Sequence, residues 1–237
     1  MLHSTISVIG RGRMGIALAA ALRAPAPLGR GSDGADADIV LLCVPDAEIA
    51  AAAACVAPRR LVGHCSGATT LAPLLPHEAF SLHPLMTAAS DPAVPIGFDG
   101  VFCTVAGSTP RAAGTARQLA LRLGGRPLTV DDDDRAAYHA AASIASNFLV
   151  TLEDAAERML ATAGIDREAL IPLVRATVEN WAVSGDRALT GPIARGDEAT
   201  VAGQRAAIEQ RAPELLDLFD ALAAATRTLA DRRLTCA

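Results

Sequence analysis

Short apolar runs and helical segments alternate along the first 130 residues. The clearest run is DIVLLCV at 38–44, which is hydrophobic almost throughout and is followed by Pro45, as expected of a strand that is buried on both faces. Further strands are predicted at 5–9, 61–64, 101–105 and 127–130. Helices are predicted at 16–23, 47–56 and 110–123. This alternation indicates a parallel α/β sheet.

The pattern changes after residue 130, and no strand pattern remains beyond it. Four aspartates at 131–134 precede a helical pattern that continues to residue 163. An acidic run suits the positive end of a helix dipole, so a solvated helix start explains it better than a metal site does. Three more helices are predicted at 167–183, 197–211 and 213–230. We therefore predict an α/β domain at 1–130 and an all-helical domain at 131–237.

Composition argues against a nucleic-acid-binding, membrane or secreted protein. The 237 residues carry a net charge of −5, which argues against a nucleic-acid surface. No apolar run reaches the roughly 18 residues that a membrane helix needs. The strand pattern begins almost at the first residue, so no signal peptide is predicted. We expect a cytoplasmic protein with no nucleic-acid or membrane partner.

Three residue types limit the chemistry. All 21 cationic residues are arginine, so no lysine of this chain can act as an acid, a base or a Schiff-base former. The histidines form no HxxxH or HExxH pair, and the cysteines form no CxxC. Neither a metal site nor a disulfide framework is therefore predicted. The cysteines are Cys43, Cys55, Cys65, Cys103 and Cys236.

A glycine motif, GRGRMG at 10–15, follows the first strand and opens the first helix. In this context G-x-G-x-x-G indicates a Rossmann dinucleotide-binding turn, although a plain glycine-rich turn is the alternative. Gly10 permits the tight turn, Gly12 lets the backbone approach the pyrophosphate, and Gly15 allows close packing of helix and strand. The helix N-terminus then faces the anion. The cofactor-binding candidates here are Gly10, Arg11, Gly12, Arg13, Met14 and Gly15.

The second strand of such a unit is barely present. That strand normally ends in the residue that contacts the adenosine ribose, but here RAPAPLGRGSDGAD leads directly into DIVLLCV. Arg30 and Ser32 offer a guanidinium and a hydroxyl group for the 2′-phosphate of NADP. Asp33 would instead favour NAD. We predict NADP as the cofactor, with NAD as the alternative.

Two other strand ends are expected at the same site, because ligands bind beyond the carboxyl ends of parallel strands. Val44 and Pro45 end one strand, and Ser66 and Gly67 follow the next. The sequence shows no packing reason for Ser66 and Gly67 to stand together. Both suit a close approach to the nicotinamide ribose.

The chain resembles a bacterial family in the order of six segments that span nearly its whole length: GRGRMG, LLCVPD, GHCSGATTL, SLHPLMT, YHAAASIASNFLVTL and LTGPIARGDEATV. Members join a Rossmann-like domain to a C-terminal helical domain of unknown function, and are often labelled deazaflavin-dependent NADP oxidoreductases. The resemblance implies the superfamily of 6-phosphogluconate and β-hydroxyacid dehydrogenases, ketopantoate reductases, pyrroline-5-carboxylate reductases and imine reductases. Those enzymes bind substrate between the Rossmann domain and a long helix, and usually dimerise through their helical domains.

The chain departs from these relatives at the catalytic position. In β-hydroxyacid dehydrogenases the long helix carries a lysine four residues before an asparagine. Asn147 matches that asparagine, and Ser143 stands at the lysine position, so the lysine mechanism is excluded. The candidates for the acid are His139, His83, Tyr138, or a water held by Ser143 and Asn147.

Each of these candidates also has a structural interpretation. His139, Ser143 and Asn147 are spaced four residues apart, which would place them on one face of an uninterrupted helix, but a histidine there can also be a core residue. His83 lies in what reads as a loop, where functional histidines are common; a turn histidine without a role is the alternative.

Two residues of the helical domain are candidates for substrate binding. Asn180 is expected to line the cleft, and Arg195, in the loop LTGPIARGD, to clamp a substrate carboxylate. A purely structural loop with Asp197 as a helix N-cap is the other reading.

These observations predict an NADP(H)-dependent oxidoreductase that reduces a small carbonyl or imine substrate, with a 2-oxo acid such as ketopantoate as the leading case. A homodimer through the C-terminal helices is expected. Two alternatives stay open: hydride transfer between NADP and a deazaflavin, and a non-catalytic nucleotide-binding sensor or scaffold.

Overall fold

The computed structural model describes residues 4–34, 36–88 and 94–235. The chain divides into two compact units, 1–146 and 147–237. This division falls within the long helical segment, later than the change of sequence pattern near residue 130 from which we predicted a boundary. None of the helices in the described part of the chain is long and apolar enough to cross a membrane.

A six-stranded sheet forms the frame of the first unit, and its strands follow one another in chain order. They are β1 (Ile6–Ile9), β2 (Ile39–Leu42), β3 (Leu61–His64), β4 (Glu78–Pro84), β5 (Phe102–Gly107) and β6 (Arg126–Leu128). Every neighbouring pair is parallel except β4 and β5, which are antiparallel. The predicted fold class, an α/β sheet followed by helices, is confirmed.

Three helices cover the two faces of the sheet. They are α1 (Arg13–Ala21), α2 (Ile49–Cys55) and α3 (Pro110–Arg122). The first three strands are buried at every position, which explains their continuous apolar runs. Leu18 of α1 and Leu119 of α3 belong to one core, and Ile49 of α2 belongs to the other. Because β1 to β4 run parallel, their carboxyl ends lie at one edge of the sheet, which we call the carboxyl edge.

Strand β4 was missed in the sequence because one of its faces is polar. Ser81 and His83 alternate with the buried Phe80 and Leu82, and the polar pair made the segment read as a loop. In the structure His83 is therefore a strand residue, and the loop prediction for it is wrong. The polar face is covered by groups of the first helix after the sheet.

The second strand of the nucleotide unit is reduced to a single residue, Leu28. Its N–H donates to the carbonyl of Val8 at 2.8 Å, and its carbonyl accepts from the N–H of Gly10 at 3.0 Å. Leu28 thus pairs in parallel with Ile9. The segment after it, 29–32, consequently begins beside the glycine turn.

The long helical segment is not uniform. α4 (Arg135–Ser143) leads through a π-helical turn at Ile144–Phe148 into α5 (Leu149–Ala161). A π turn bonds residue i to i+5 and displaces the residues after it around the helix axis. The α-helical spacing from which we predicted a shared face for His139, Ser143 and Asn147 therefore holds only up to Ser143, and the shared face of Asn147 stays a prediction.

The second unit continues with three further helices, α6 (Ile171–Ser184), α7 (Glu198–Arg211) and α8 (Leu216–Thr235). Among its described residues, the buried apolar side chains are few: Val201, Ala212, Leu215 and Ala223. Several large apolar side chains are exposed instead, with Trp181 at 64% and Val183 at 83%. Exposed apolar side chains on this scale are typical of an interaction surface.

Candidate cofactor and active site

Each glycine of the motif has a different physical reason to be glycine. Gly10 has a φ of +122°, and a Cβ there would lie 2.2 Å from the carbonyl oxygen of Cys43. A Cβ on Gly15 would lie 2.0 Å from the carbonyl oxygen of Gly10. Around Gly12, by contrast, no atom of the described residues beyond its own chain neighbours lies within 4 Å of the Cβ position. Packing explains Gly10 and Gly15, whereas Gly12 leaves open space for a ligand to approach the backbone.

The helix after this turn has an N-terminus suited to an anion. Gly12 is the N-cap of α1, no side chain caps it, and no acidic residue lies in its first turn. Its first N–H groups and the helix dipole are thus left for an external partner. Arg11 donates from Nε to the carbonyl of Pro27 at 3.3 Å, Arg13 is exposed, and Met14 packs against the core.

Arg30 and Ser32 both have protein partners. Arg30 forms an ion pair with Glu48, with 2.6 Å between Nη1 and Oε1, while its side chain is 64% exposed. Ser32 accepts from the N–H of Gly34 at 3.2 Å. A guanidinium group has five N–H donors, so the bond to Glu48 orients Arg30 and leaves donors for a phosphate. Asp33 is exposed nearby.

Ser66 has a structural role that the sequence did not reveal. Its hydroxyl group donates to a carboxylate oxygen of Asp46 at 2.7 Å and accepts from the N–H groups of Ala68 and Thr69 at 3.2 and 2.9 Å. The hydroxyl group therefore holds the loop after β3 against the turn that follows Val44 and Pro45. Our expectation that Ser66 lacks a packing reason is wrong.

Gly67 is likewise explained by packing. A Cβ at this position would lie 2.8 Å from Cε1 and 3.0 Å from both ring nitrogens of His83. The imidazole ring of His83 therefore rests directly on the Gly67 backbone. The loop after β3 lies at the carboxyl edge, as expected. The absence of a side chain at Gly67 leaves room for the His83 ring.

His64, the last residue of β3, also binds the loop that follows this strand. It is fully buried, its Nδ1 accepts from the N–H of Ser66 at 3.2 Å, and its Nε2 lies 3.0 Å from the carbonyl of Thr70. The first bond assigns the proton to Nε2, which donates to Thr70. Burial lowers the pKa of His64, so the ring is neutral. Its role is structural.

His83 pairs with Tyr138 of α4. Its Nδ1 lies 2.8 Å from the Tyr138 hydroxyl oxygen, and the two rings meet edge to face with centroids 5.7 Å apart. Burial, aided by the nearby His139, lowers the pKa of His83 to about 4. His83 is therefore neutral at physiological pH, and either partner is able to donate in this hydrogen bond, depending on the tautomer.

A second polar contact secures α4 one turn before Tyr138. Arg135 is buried, and it donates to the hydroxyl group of Ser81 at 3.2 Å and to the carboxylate of Asp132 at 2.6 Å. Ser81 and His83 lie two residues apart on one strand face, and Arg135 and Tyr138 lie three apart on one helix face. The polar residues spaced two apart on β4 and three apart on α4 were the sequence signal that could have paired the two elements.

The remaining candidates divide between the units. His139 is exposed and Ser143 is half-buried on α4 in the first unit. The second unit carries Asn147, exposed in the π turn, Asn180, exposed on α6, and Arg195, exposed in the turn before α7. Asp197 is the N-cap of α7 and accepts from the N–H of Thr200 at 3.1 Å.

The cysteines and acidic groups assemble no further centre in the part of the chain that the structure describes. Cys43, Cys55, Cys65 and Cys103 are free thiols, and Cys236 lies outside the described residues. Cys43 and Cys65 lie side by side under the glycine turn with 3.5 Å between their sulfurs. In the same described ranges, no group of three or more His, Cys, Asp or Glu side chains is placed to hold a metal ion.

Solved structures share this fold over almost the whole chain. A candidate NADP oxidoreductase from Bacteroides fragilis has a TM-score of 0.80 at 17% identity, covering 95% of this chain and 98% of its own. Protein TM1727 from Thermotoga maritima has a TM-score of 0.79 at 24% identity, covering 97% and 99%. A reductive aminase from Aspergillus terreus, in complex with NADPH and ethyl levulinate, has a TM-score of 0.66 at 15% identity, covering 96% and 97%.

At such identities the likeness shows the fold alone. No curated protein sequence is significantly similar to this one. A family model does match, over residues 101–226, which is more than half of the chain. It confirms the resemblance drawn from the six sequence segments: the chain belongs to the family described as Domain of unknown function (DUF2520).

Proposed function

We propose that the protein is an NADP(H)-dependent oxidoreductase that reduces a small carbonyl or imine compound. The glycine turn carries this proposal. Gly10 and Gly15 are fixed by their neighbours, whereas the space beside Gly12 is open at an uncapped helix N-terminus. Such an arrangement suits a pyrophosphate that must approach the backbone closely.

The fold supports the same conclusion. Two structures that match the chain along its length are a candidate NADP oxidoreductase and a reductive aminase in complex with NADPH. The fold alone does not determine an activity. Together with the glycine turn, however, it favours a nicotinamide cofactor over other nucleotides.

The residues available to hold the cofactor lie along the carboxyl edge. The turn at Gly12 would hold the pyrophosphate, and Arg30 with Ser32, which follow Leu28, would hold the 2′-phosphate at the adenosine end. Val44 and Pro45, after β2, lie farther along the edge towards β4. A guanidinium group suits a phosphate better than a ribose diol, which is why we propose NADP rather than NAD.

The chemistry requires a hydride and a proton. The bound cofactor would supply the hydride to the substrate carbon. The chain must then supply a hydrogen-bond donor to the oxygen or nitrogen on which negative charge develops, and such donors contribute strongly to catalysis. In this lysine-free chain, His83, Tyr138, His139 and Ser143 are the candidates in the first unit.

A 2-oxo acid such as ketopantoate remains the leading substrate. Arg195 is the residue we propose for its carboxylate, with Asn180 as a second polar contact. The turn that carries Arg195 ends at Gly196, which has a φ of +71°, and at the N-cap Asp197. Both features fix the backbone beside the arginine while its side chain stays exposed.

We further propose that a second copy of the chain covers the helical unit. The exposed apolar side chains lie mostly on α6: Ile171, Leu173, Val178, Trp181 and Val183. An open groove of about 480 Å³ beside them is lined by acidic residues of α5 and by Arg167 and Arg175. A surface with both charges can complement itself across a two-fold axis.

Two measurements test the proposed function. NADPH binding is followed by fluorescence titration, and NADPH oxidation is followed against 2-oxo acids, cyclic imines and a deazaflavin. Turnover of a 2-oxo acid or an imine supports the proposal. Turnover of the deazaflavin alone favours a flavin-linked hydride transfer, and tight NADPH binding without turnover favours a sensor or scaffold. Absence of dinucleotide binding contradicts the proposal altogether.

A further inference from the structure

We infer that Tyr138 is the proton donor of the proposed reduction and that His83 is the positioning residue that holds and reloads it. This inference rests on the proposed function and names the acid that replaces the missing lysine. It involves only residues of the first unit.

The pair lies where a substrate of this fold is expected. β4 is parallel to β3, so His83 lies at the carboxyl edge together with the turns that follow β1, β2 and β3. Tyr138 faces it from α4. Thr104 pairs with His83 across β5, and its hydroxyl group lies beside that of Tyr138. Three polar side chains therefore converge at the end of the sheet that ligands use.

The geometry restricts both rings. The hydroxyl oxygen of Tyr138 is 2.8 Å from Nδ1 of His83, with the ring planes at 88°. The Gly67 backbone supports the far side of the imidazole ring. Arg135, one turn before Tyr138, anchors α4 to Ser81 on the same strand. Catalytic groups are effective when neighbours hold them in this way.

The hydrogen bond must run from His83 to Tyr138 for the tyrosine to act as an acid. A phenol has a single proton, and a Tyr138 that donates it to His83 has none for a substrate. In the Nδ1–H tautomer the imidazole instead donates to the tyrosine oxygen. The hydroxyl proton is then free, and the same Nδ1–H stabilises the phenolate that forms when this proton leaves.

Protons and electrons balance in this scheme. The substrate carbon receives the hydride with its electron pair, and the π pair of the C=O or C=N bond moves to oxygen or nitrogen. That atom takes the proton of Tyr138. The phenolate then takes the Nδ1 proton of His83 while Nε2 takes a proton from water, which leaves as hydroxide to the solvent. These proton transfers leave Tyr138 protonated again and His83 in the Nε2–H tautomer. Proton exchange with water then restores the Nδ1–H tautomer of His83.

The protonation states support these roles. Burial lowers the pKa of His83 to about 4, so the ring is neutral at physiological pH, and Nε2 gains a proton only as Nδ1 gives one up. Burial also raises the pKa of Tyr138 above its ordinary value of 10. Tyr138 therefore keeps its proton until a strongly basic alkoxide or amine develops beside it.

The first test compares Tyr138→Phe with the wild-type protein under saturating NADPH. Removal of a general acid lowers kcat by about 10²–10⁴-fold, whereas NADPH affinity should change by less than about twofold because the proposed cofactor contacts lie elsewhere. A Tyr138→Phe variant with wild-type kcat overturns the inference. If kcat falls in His139→Ala but not in Tyr138→Phe, His139 is the proton donor instead. If the wild-type protein neither binds NADPH nor reduces any substrate of the panel, the proposed function fails as well.

The second test addresses His83 without turnover. Nitrogen-15 NMR of the cofactor-free protein should show the Nδ1–H tautomer of His83, and Tyr138→Phe should shift it towards Nε2–H. An Nε2–H tautomer in the wild-type protein means that Tyr138 donates to His83, and it overturns the inference.

Substitutions at His83 separate positioning from packing. His83→Asn keeps an N–H near Nδ1 and should retain more of kcat than His83→Ala, with KM little changed. Any change in the kcat profile that accompanies protonation of His83 near pH 4 should be absent from both variants. His77→Asn is the matched control, because His77 is a histidine held by the carbonyl of Ala53 before β4, and it should keep the wild-type profile. Equal kcat for His83→Asn, His83→Ala and wild type overturns the positioning role.

Discussion

Gly67 and His83 are packed so closely that a methyl group on the glycine would lie 2.8 Å from Cε1 of the imidazole. The contact joins the loop after β3 to the end of β4. It explains why a glycine follows Ser66, and it makes the orientation of His83 depend on a residue that carries no functional group.

Gly67→Ala should therefore lower kcat with little effect on NADPH affinity. The added methyl group displaces the His83 ring and costs about 1–3 kcal/mol of unfolding free energy, as overpacking usually does. Gly203→Ala is the matched control: apart from its chain neighbours and the backbone of α7 itself, no atom of the described residues lies within 4 Å of its Cβ position, and it should stabilise the helix by about 0.5–1 kcal/mol. Denaturant unfolding and steady-state kinetics measure both. An unchanged kcat in Gly67→Ala would contradict the dependence.

Gly12 and Gly15 should respond differently to the same substitution. Gly12→Ala should leave the thermal unfolding of the cofactor-free protein unchanged and weaken NADPH binding by about tenfold or more, roughly 1.4 kcal/mol. Gly15→Ala would drive a methyl group into a backbone carbonyl and should destabilise the free protein itself. Wild-type affinity in Gly12→Ala would remove the main support for a dinucleotide site.

Arg30 and Glu48 offer a test of cofactor preference. Arg30→Ala removes a charged hydrogen bond to the 2′-phosphate and should weaken NADPH binding by about 1.5–3 kcal/mol, while NADH binding stays the same. Glu48→Gln keeps an acceptor that orients Arg30 but removes a negative charge near the phosphate, so it should strengthen NADPH binding, with little effect on stability because an exposed ion pair contributes about 1 kcal/mol at most. If Arg30→Ala leaves NADPH affinity unchanged, the NADP assignment is wrong.

Acid should destabilise the protein through His83. Its pKa is about 4 in the folded chain, against 6.5 for an unperturbed histidine such as that of the unfolded chain. Below pH 6.5 the unfolded chain therefore binds a proton that the folded chain does not, and stability falls until pH 4 is reached. The full effect is about 3 kcal/mol, since each pKa unit corresponds to about 1.4 kcal/mol. The unfolding free energy of His83→Asn should decline less than that of wild type between pH 7 and 5; parallel declines would refute the assignment.

The helical unit should associate with a second copy. Leu173 on α6 is 63% exposed and Leu121 on α3 is 57% exposed, so the two leucines form a matched pair. In sedimentation velocity the wild-type protein should run as a dimer, Leu173→Arg should shift it towards monomer, and Leu121→Arg should not. Trp181, the only tryptophan, should emit at shorter wavelength in the dimer than in the dissociated chain. A monomeric wild-type protein would refute the expectation.

The sequence predicted those parts of the fold that depend on local pattern. The apolar run at 38–44 became β2, the glycine motif became the turn into α1, and the short second strand became the single bridge of Leu28. Each of these signals is contained within a few neighbouring residues, so one sequence suffices to read it.

Most of the missed features depend on residues far apart in the chain. β4 has a polar face because Arg135 and Tyr138, more than 50 residues later, cover Ser81 and His83. Gly67 is explained only by His83, and Ser66 only by Asp46. The π turn contains no proline or glycine from which it could have been predicted. For the same reason Tyr138 was considered in the sequence only as one acid among several, without its partner.

The single-residue strand at Leu28 affects how the nucleotide preference of this protein can evolve. Two backbone hydrogen bonds attach it to the sheet, and backbone groups are indifferent to side-chain identity. The following residues, 29–32, therefore have no alternating apolar pattern to preserve and no core position to fill. Drift in that short loop can exchange one dinucleotide preference for another while the rest of the domain stays the same. A laboratory selection for altered nucleotide use should accumulate its substitutions there first.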